Sequence, residues 1–380
     1  MEEMRTSFKI GGRGVGRGNP CFVIAELSGN HHQRYEEAVE LVRAAVAAGA
    51  DAVKLQTYTP DTITLNSDKE WFVVGSEGDR PESWQNRTLY DLYQTDHTPW
   101  EWQPKLKKFA DELGIVLFSS AFDETAVDFL ESMGVPCYKV ASYEAVHIPL
   151  LKKVAGTGKP VVMSIGFASF EEAELAARTL QENGTKDLAV LHCVTSYSDT
   201  PKVADMNLRT IRDVAERFGV VSGFSDNNAG ITVPVAAAVA GGAKVVEKHL
   251  ILDRSLGGAD ARFSIEPAEF KRMVELIRRA EAGEKEVVLK EIGVEDAELA
   301  MGKVHYGPAN SQEEENKVFR PGVWAKMDIR KGEAFTRENI RVARPTGPGE
   351  IMPKDFEALL GKRASQDIAF ATPLSWELVE

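Results

Sequence analysis

The chain has 380 residues, 43% hydrophobic and 27% charged, the proportions of an ordinary globular protein with room for one large domain and one small one. Its net charge of −13 sets the field against phosphate backbones and anionic lipid, which excludes nucleic acid and membrane surfaces as expected partners; an anionic substrate must meet a local cluster of Lys and Arg. No apolar run reaches the ~20 residues of a membrane span, the start MEEMRTSFKIGG lacks a signal peptide's apolar stretch, and the cysteines Cys21, Cys137 and Cys193 are far apart, so a cytoplasmic protein with reduced core thiols is expected.

The first feature in chain order is GGRGVGRG, Gly11 to Gly18, which invites a nucleotide-loop reading. No long strand precedes it and a strand follows, so a β-hairpin of FKIGG against CFVIAEL, capping the floor of the fold, is the better reading. Strand-like runs then follow at CFVIAEL (21–27), AVKLQT (52–57), IVLFSSAF (115–122), CYKVAS (137–142), PVVMSIG (160–166), LAVLHCVTSY (188–197), VVSGFSD (220–226) and KVVEKHL (244–250). Between them lie amphipathic stretches such as RYEEAVELVRAAVAAG and NLRTIRDVAERFG, most closed by a glycine that suits the left-handed position after a helix.

Eight βα units over roughly 250 residues is the arithmetic of a (β/α)8 TIM barrel. An open doubly wound sheet is the rival, but it usually has fewer strands and a glycine fingerprint after the first. The segment 58–97 is far longer than an ordinary βα loop and on a barrel sits over the active face. Beyond EPAEFKRMVELIRRAEAG the alternation stops. The expected division is a barrel domain over 1–284, a charged linker over 285–317 and a compact second domain over 318–380, small enough to need something to dock on.

Barrel active sites lie at the C-terminal ends of the strands, and every strand here ends in polar groups. They are Glu26 with Asn30 and His31; Lys54 and Gln56; Ser119 and Ser120; Lys139, Ser142 and Glu144; Ser164; His192, Thr195 and Tyr197; Ser225 and Asp226; Glu247, Lys248 and His249; then Asp260 and Arg262. A single strand lysine is ordinarily an edge or solvent-facing residue. Lys54, Lys139 and Lys248 at equivalent ends of three strands instead make a site for phosphate and carboxylate, with Ser119, Ser142, Ser164 and Ser225 as hydroxyl donors. His192 and His249, each more often a core histidine when alone, have with Glu26 and Asp226 the donor types of a divalent metal site. Cys137 and Cys193, next to inward residues, are expected to face outward. Trp100 and Trp102 in TPWEW read as aromatic packing at a helix start.

The runs FVIAELSGNHH, GADAVKLQT, FSSAFD, GKPVVMSIG, LHCVTSY, GFSD, GAKVVEKH and LGGADARFSIEPAEFKRMV resemble, in order, those of the sialic acid synthase family. The tail RKGEAFTRENIRVARPTGPGEIMP is similar to that family's antifreeze-like (SAF, β-clip) domain, and the likeness covers nearly the whole chain. Within the family, TPWEW and GGADARFS look most like the pseudaminic acid synthases, while ASYE and GFSD are also similar to spore-coat polysaccharide synthases. The resemblance implies an enzyme that condenses phosphoenolpyruvate with an open-chain acetamido hexose to a nonulosonic acid, releasing phosphate. It implies that Lys54, Ser120, Lys139, Ser142, Ser164 and Ser225 hold phosphoenolpyruvate, that Glu26 and His249 lie at the reacting centre with Asp226 as a third catalytic candidate, and that Gln56, Glu144, Tyr197 and Asp260 face the sugar. Ser120 stands where the family usually has threonine, and Ala121 where it has proline.

The family's Ser-Asp-His-Thr is here Ser225-Asp226-Asn227-Asn228, so a divalent metal (Mn or Mg) held by His249 and Asn227 is expected to be weakened or altered. Arg344 in VARPTGPGE matches an arginine that enters a neighbouring subunit's barrel to contact the sugar, which implies a homodimer with swapped tails. The alternatives are a sialic or legionaminic acid synthase, and a degenerate barrel that binds sugar or phosphate without turnover.

Overall fold

Strands β1 (Ser7–Ile10) and β2 (Arg13–Gly16) pair antiparallel in the computed structural model, which describes residues 5–75 and 84–380. FKIGG therefore pairs with RGVG, not with CFVIAEL as the sequence suggests: Gly11 and Gly12, at φ 54° and 86°, reverse the chain within two residues. The hairpin does cap the floor. Phe8, Ile10 and Val15 pack with Phe22, Val116, Leu191 and Val245.

The eight expected strands all form, as β3 (Phe22–Glu26), β4 (Ala52–Thr57), β5 (Val116–Ala121), β6 (Tyr138–Val140), β7 (Val161–Ser164), β8 (Leu188–Val194), β9 (Val221–Asp226) and β10 (Val245–His249). All are parallel, and β10 closes on β3 to complete a (β/α)8 barrel. Period-two alternation divides each strand. Ile24, Ala52, Phe118, Val162 and Ala189 point inward to the floor cluster, while Val23, Val53, Leu55, Phe224 and Val246 point outward under the helices. Helix Tyr35–Ala47 buries Ala38, Leu41, Val42 and Ala45, the i, i+3, i+4, i+7 face that its sequence predicts. Helix Phe170–Glu182 starts at a capping box of Ser169 and Glu172. Trp100 stacks on Phe129, and Trp102 meets His31 and Tyr35 edge-on, the structural roles read from TPWEW.

The segment read as a linker is not one of open chain. It forms helices Lys285–Ile292, Val294–Met301 and Ser311–Asn316, and Val288, Ala297 and Ala300 join the layer outside the barrel wall. A few apolar residues at helical spacing suffice to dock it, and its many charges face outward, which is why composition alone reads as linker. The tail pairs β11 (Gly322–Ala325) with β12 (Ile340–Ala343) around a core that includes Val323, Phe335, Ile340 and Phe356. It docks on its own barrel. Trp324 meets Phe72 at 4.6 Å, and the Arg341 guanidinium donates to the Asp61 and Thr62 carbonyls at 2.6 and 2.5 Å. Part of the 58–97 segment, residues 76–83, lies outside the described residues; the remainder includes helix Leu89–Asp96 and packs between barrel and tail. Among the described residues no helix is long and apolar enough to cross a membrane.

Candidate active site

The inward parity of each strand, set at the floor, carries a polar side chain to the upper end. Parallel register places Glu26 opposite Lys54 and His249, and Ser120 opposite Gln56 and Lys139. Lys54 Nζ lies 2.5 Å from Glu26 Oε2 and donates to Ser120 Oγ at 3.0 Å; Lys139 Nζ donates to Ser164 Oγ at 2.7 Å. Both lysines approach Glu247 Oε1, at 3.4 and 3.6 Å, and Ser225 Oγ donates to the same oxygen at 3.1 Å. Because Ser120 and Ser164 accept from the lysines, each keeps its own hydroxyl hydrogen for an incoming anion.

Two lysines and two glutamates are therefore buried together: Lys54, Lys139 and Glu247 line the base of one cavity, and Glu26 is paired with Lys54 beside it. Isolated, each charge would be costly to bury; as a cluster they offset one another. Burial raises the Glu26 carboxyl above the usual range and Lys54 only partly opposes it. Burial acts the same way on Glu247, but Lys139 and Lys54 outweigh it and hold that carboxyl low. Glu26 is thus the carboxyl of the pair that more readily takes a proton. Gln56 Nε2 and the Ser28 backbone N–H each donate to Glu26 Oε1 at 3.0 Å and orient it.

Above this base the cavity is lined by Tyr197, Asp260, Arg344 and an aromatic collar that includes Trp84, Tyr93 and Phe319. Arg344 closes one side: its Nη2 and Nε donate to Glu144 Oε1 at 2.6 and 2.8 Å, and its guanidinium lies 4.5 Å over the Tyr143 ring. Burial would depress the Arg344 charge, but Glu144 reverses that and raises it. Burial pushes Asp260 up to about 6 and His249, with Lys54 beside it, down to about 3, leaving a neutral imidazole. Ser142 also lines the cavity, its Oγ accepting from Gly166 N at 3.1 Å.

Several expected site residues lie elsewhere. Asp226 and Lys248 face outward behind the wall, ion-paired at 2.7 Å, because Val221 and Val245 set the inward parity of their strands and leave even positions outside. Lys248 is therefore not a third anion-binding lysine, and Asp226 does not face the reacting centre. Ser119 likewise faces outward and shares a 2.6 Å hydrogen bond with Thr57. On β8 the expected parity is inverted: His192 points out to the Met206 carbonyl, and Cys193 points in toward Asn227. Cys137 also points in, among the floor residues. Asn30 and His31 tie loops together, through Leu250 O and Ser264 Oγ and through Thr98 Oγ1. Within this single chain Arg344 reaches the chain's own barrel. Glu247, which the sequence reading leaves without a role, is the centre of the charge cluster; its odd-numbered parity with Val245 was the available signal. Trp84 and Tyr93 come from the 58–97 segment, Tyr93 on helix Leu89–Asp96, and Phe319 from the start of the tail; no strand period places them.

A metal fits these residues poorly. His249 Nδ1 is buried without a hydrogen-bond partner and lies 3.8 Å from Asp260, but the Asn227 amide is turned to Cys193 Sγ at 3.2 Å. Among the described residues no group of three or more His, Cys, Asp or Glu is placed to hold an ion.

Comparison with known proteins agrees with this fold. The model of the NeuB family matches residues 41–288, and that of the SAF domain matches 320–380. A pseudaminic acid synthase of Campylobacter jejuni is 39% identical over 353 residues, covering 93% of this chain and 95% of that protein. One of Helicobacter pylori is 36% identical over 361 residues, 95% of this chain and 98% of that protein. The solved structure of the spore coat polysaccharide biosynthesis protein SpsE of Bacillus subtilis superposes with a TM-score of 0.82 at 33% identity, covering 98% of this chain and 99% of that one.

Proposed function

Because the chain belongs to the NeuB family, the sialic acid synthases, and is a synthase of nonulosonic acid biosynthesis, we propose that it condenses phosphoenolpyruvate with an open-chain acetamido hexose to give a nonulosonic acid and phosphate. Its similarity to the pseudaminic acid synthases favours that product class. The observation that carries the reading is the base of the cavity, where Lys54 and Lys139 present two ammonium groups with Ser120, Ser164 and Ser225 beside them. Such a base suits a small ligand bearing both phosphate and carboxylate.

In the proposed reaction the methylene carbon of the enol attacks the sugar aldehyde, forming the new C–C bond, and the carbonyl electron pair becomes an alkoxide. Water adds to the adjacent carbon, and that carbon's bond to the phosphate oxygen breaks, leaving a keto acid and free phosphate. Both protons leave the water as its oxygen becomes the keto oxygen: one arrives on the alkoxide and the other on the departing phosphate, and a single carboxyl can carry the first. Glu26, raised by burial and oriented by Gln56 and Ser28, is placed for this transfer. Tyr197, Asp260, Gln56 and Arg344, the last held by Glu144, bind the sugar at the mouth. No step is routed through a metal; His249 and Asn227 are proposed to hold Mn or Mg weakly. The test is phosphate release from phosphoenolpyruvate across a panel of acetamido hexoses. Release that requires a sugar is expected; release without one, or none with any, refutes the proposal.

A further inference from the structure

Strand β8 ends at Val194, opposite Asp226, and beyond it the chain leaves the barrel with the backbone groups of Thr195 unpaired by any strand. A different part of the chain takes them up. Glu313, on helix Ser311–Asn316 in the strap between barrel and tail, accepts from Thr195 N at 2.5 Å and from Thr195 Oγ1 at 2.8 Å through one carboxylate oxygen. Its other oxygen accepts from Ala309 N at 2.7 Å, and Asn316 Nδ2 donates to Thr195 O at 3.0 Å. Glu313 is only 1% exposed.

Two residues beyond Thr195 stands Tyr197, at φ +51°, a backbone region that a bulky residue keeps only when its surroundings over-determine it. It is fixed on both sides: Thr195 before it by the strap, and Ser198 after it, whose carbonyl accepts from Ala229 N at 2.9 Å. The Tyr197 ring, 5.9 Å from Trp84 and 5.1 Å from Phe263, lines the cavity mouth. We propose that Glu313 is a positioning residue for the acceptor sugar, acting through Thr195 to hold Tyr197 in the mouth. The strap thereby couples docking of the tail to assembly of the acceptor site. This rests on the reading of the mouth as the sugar site.

The test is steady-state kinetics of Glu313→Ala with each substrate varied in turn, beside calorimetric binding of phosphoenolpyruvate. The acceptor KM is expected to rise about tenfold, equivalent to about 1.4 kcal/mol, with phosphoenolpyruvate affinity unchanged. Glu313→Gln keeps an oxygen for Thr195 and is expected to retain most acceptor affinity. Should the alanine variant fail to fold, Asn316→Ala, which removes the Thr195 carbonyl contact, is expected to show the same split more weakly. A fall in kcat alone, or an equal rise in both KM values, is what a merely structural role produces and overturns the proposal. If the wild-type protein turns over no acceptor, it is the functional reading that falls. Amide exchange at residues 195–198 in Glu313→Ala, or in Asn316→Ala should the former not fold, then decides the tie itself: faster exchange upholds it and unchanged exchange overturns it.

Discussion

Lys54 and Lys139 differ from the outward Lys248 only in parity, and parity decides their chemistry. Removing Lys139 by Lys139→Ala deletes one charge-assisted contact and should weaken phosphoenolpyruvate by ten- to a hundredfold, about 1.5–3 kcal/mol, in a calorimetric titration; unchanged affinity would remove it from the anion site. Asn227 is the second residue where a substitution is informative. Asn227→His replaces an amide that faces Cys193 with an imidazole beside His249, and Mn binding should tighten by at least about tenfold. Tight binding by the unaltered protein, with no gain from the histidine, would show that the native site already suffices. At this scale the residue types of the site were legible in the sequence, but their facing was not always so. The run HCVTSY carries no marker of which of His192 and Cys193 turns inward; that is settled by Ala189 and Leu191, which pack on the floor. The same rule, applied upward from Val221 and Val245, separates Glu247 and Ser225 from Lys248 and Asp226.

The elements of the barrel were readable because eight β-branched runs alternate with helices at regular spacing, a pattern with one common solution. The strap was not, because two helices that dock by Val288, Ala297 and Ala300 have too few apolar residues to stand out among their charges. The end of β12 joins tail to barrel through Arg344, and its energetics can be tested as a pair. Arg344→Ala leaves Glu144 buried without its counter-charge and should cost roughly 3–5 kcal/mol in chemical denaturation. Adding Glu144→Gln removes the stranded charge, so the double variant should recover much of that stability while acceptor binding stays impaired. A double variant no more stable than the single one would mean that the pair does not hold the tail in place.

For the molecule as a whole, the tail of this single chain lies over the chain's own barrel. The residues that would reveal this are spread over three regions: Trp324 on Phe72, Arg341 on the carbonyls of Asp61 and Thr62, and Arg344 on Glu144. None of these contacts follows from a local period. If each site is completed by its own tail, mixing Arg344→Ala with Lys54→Ala protein, both impaired, should restore no activity; recovery on mixing would place the tail in trans. The most direct measurement supplies phosphoenolpyruvate labelled with oxygen-18 in the oxygen that bridges carbon and phosphorus, together with an acetamido hexose, and weighs the products. The label is expected in the released phosphate, only when sugar is present, alongside a keto acid enlarged by three carbons. Unlabelled phosphate, or labelled phosphate formed without sugar, would contradict condensation by C–O cleavage in this barrel.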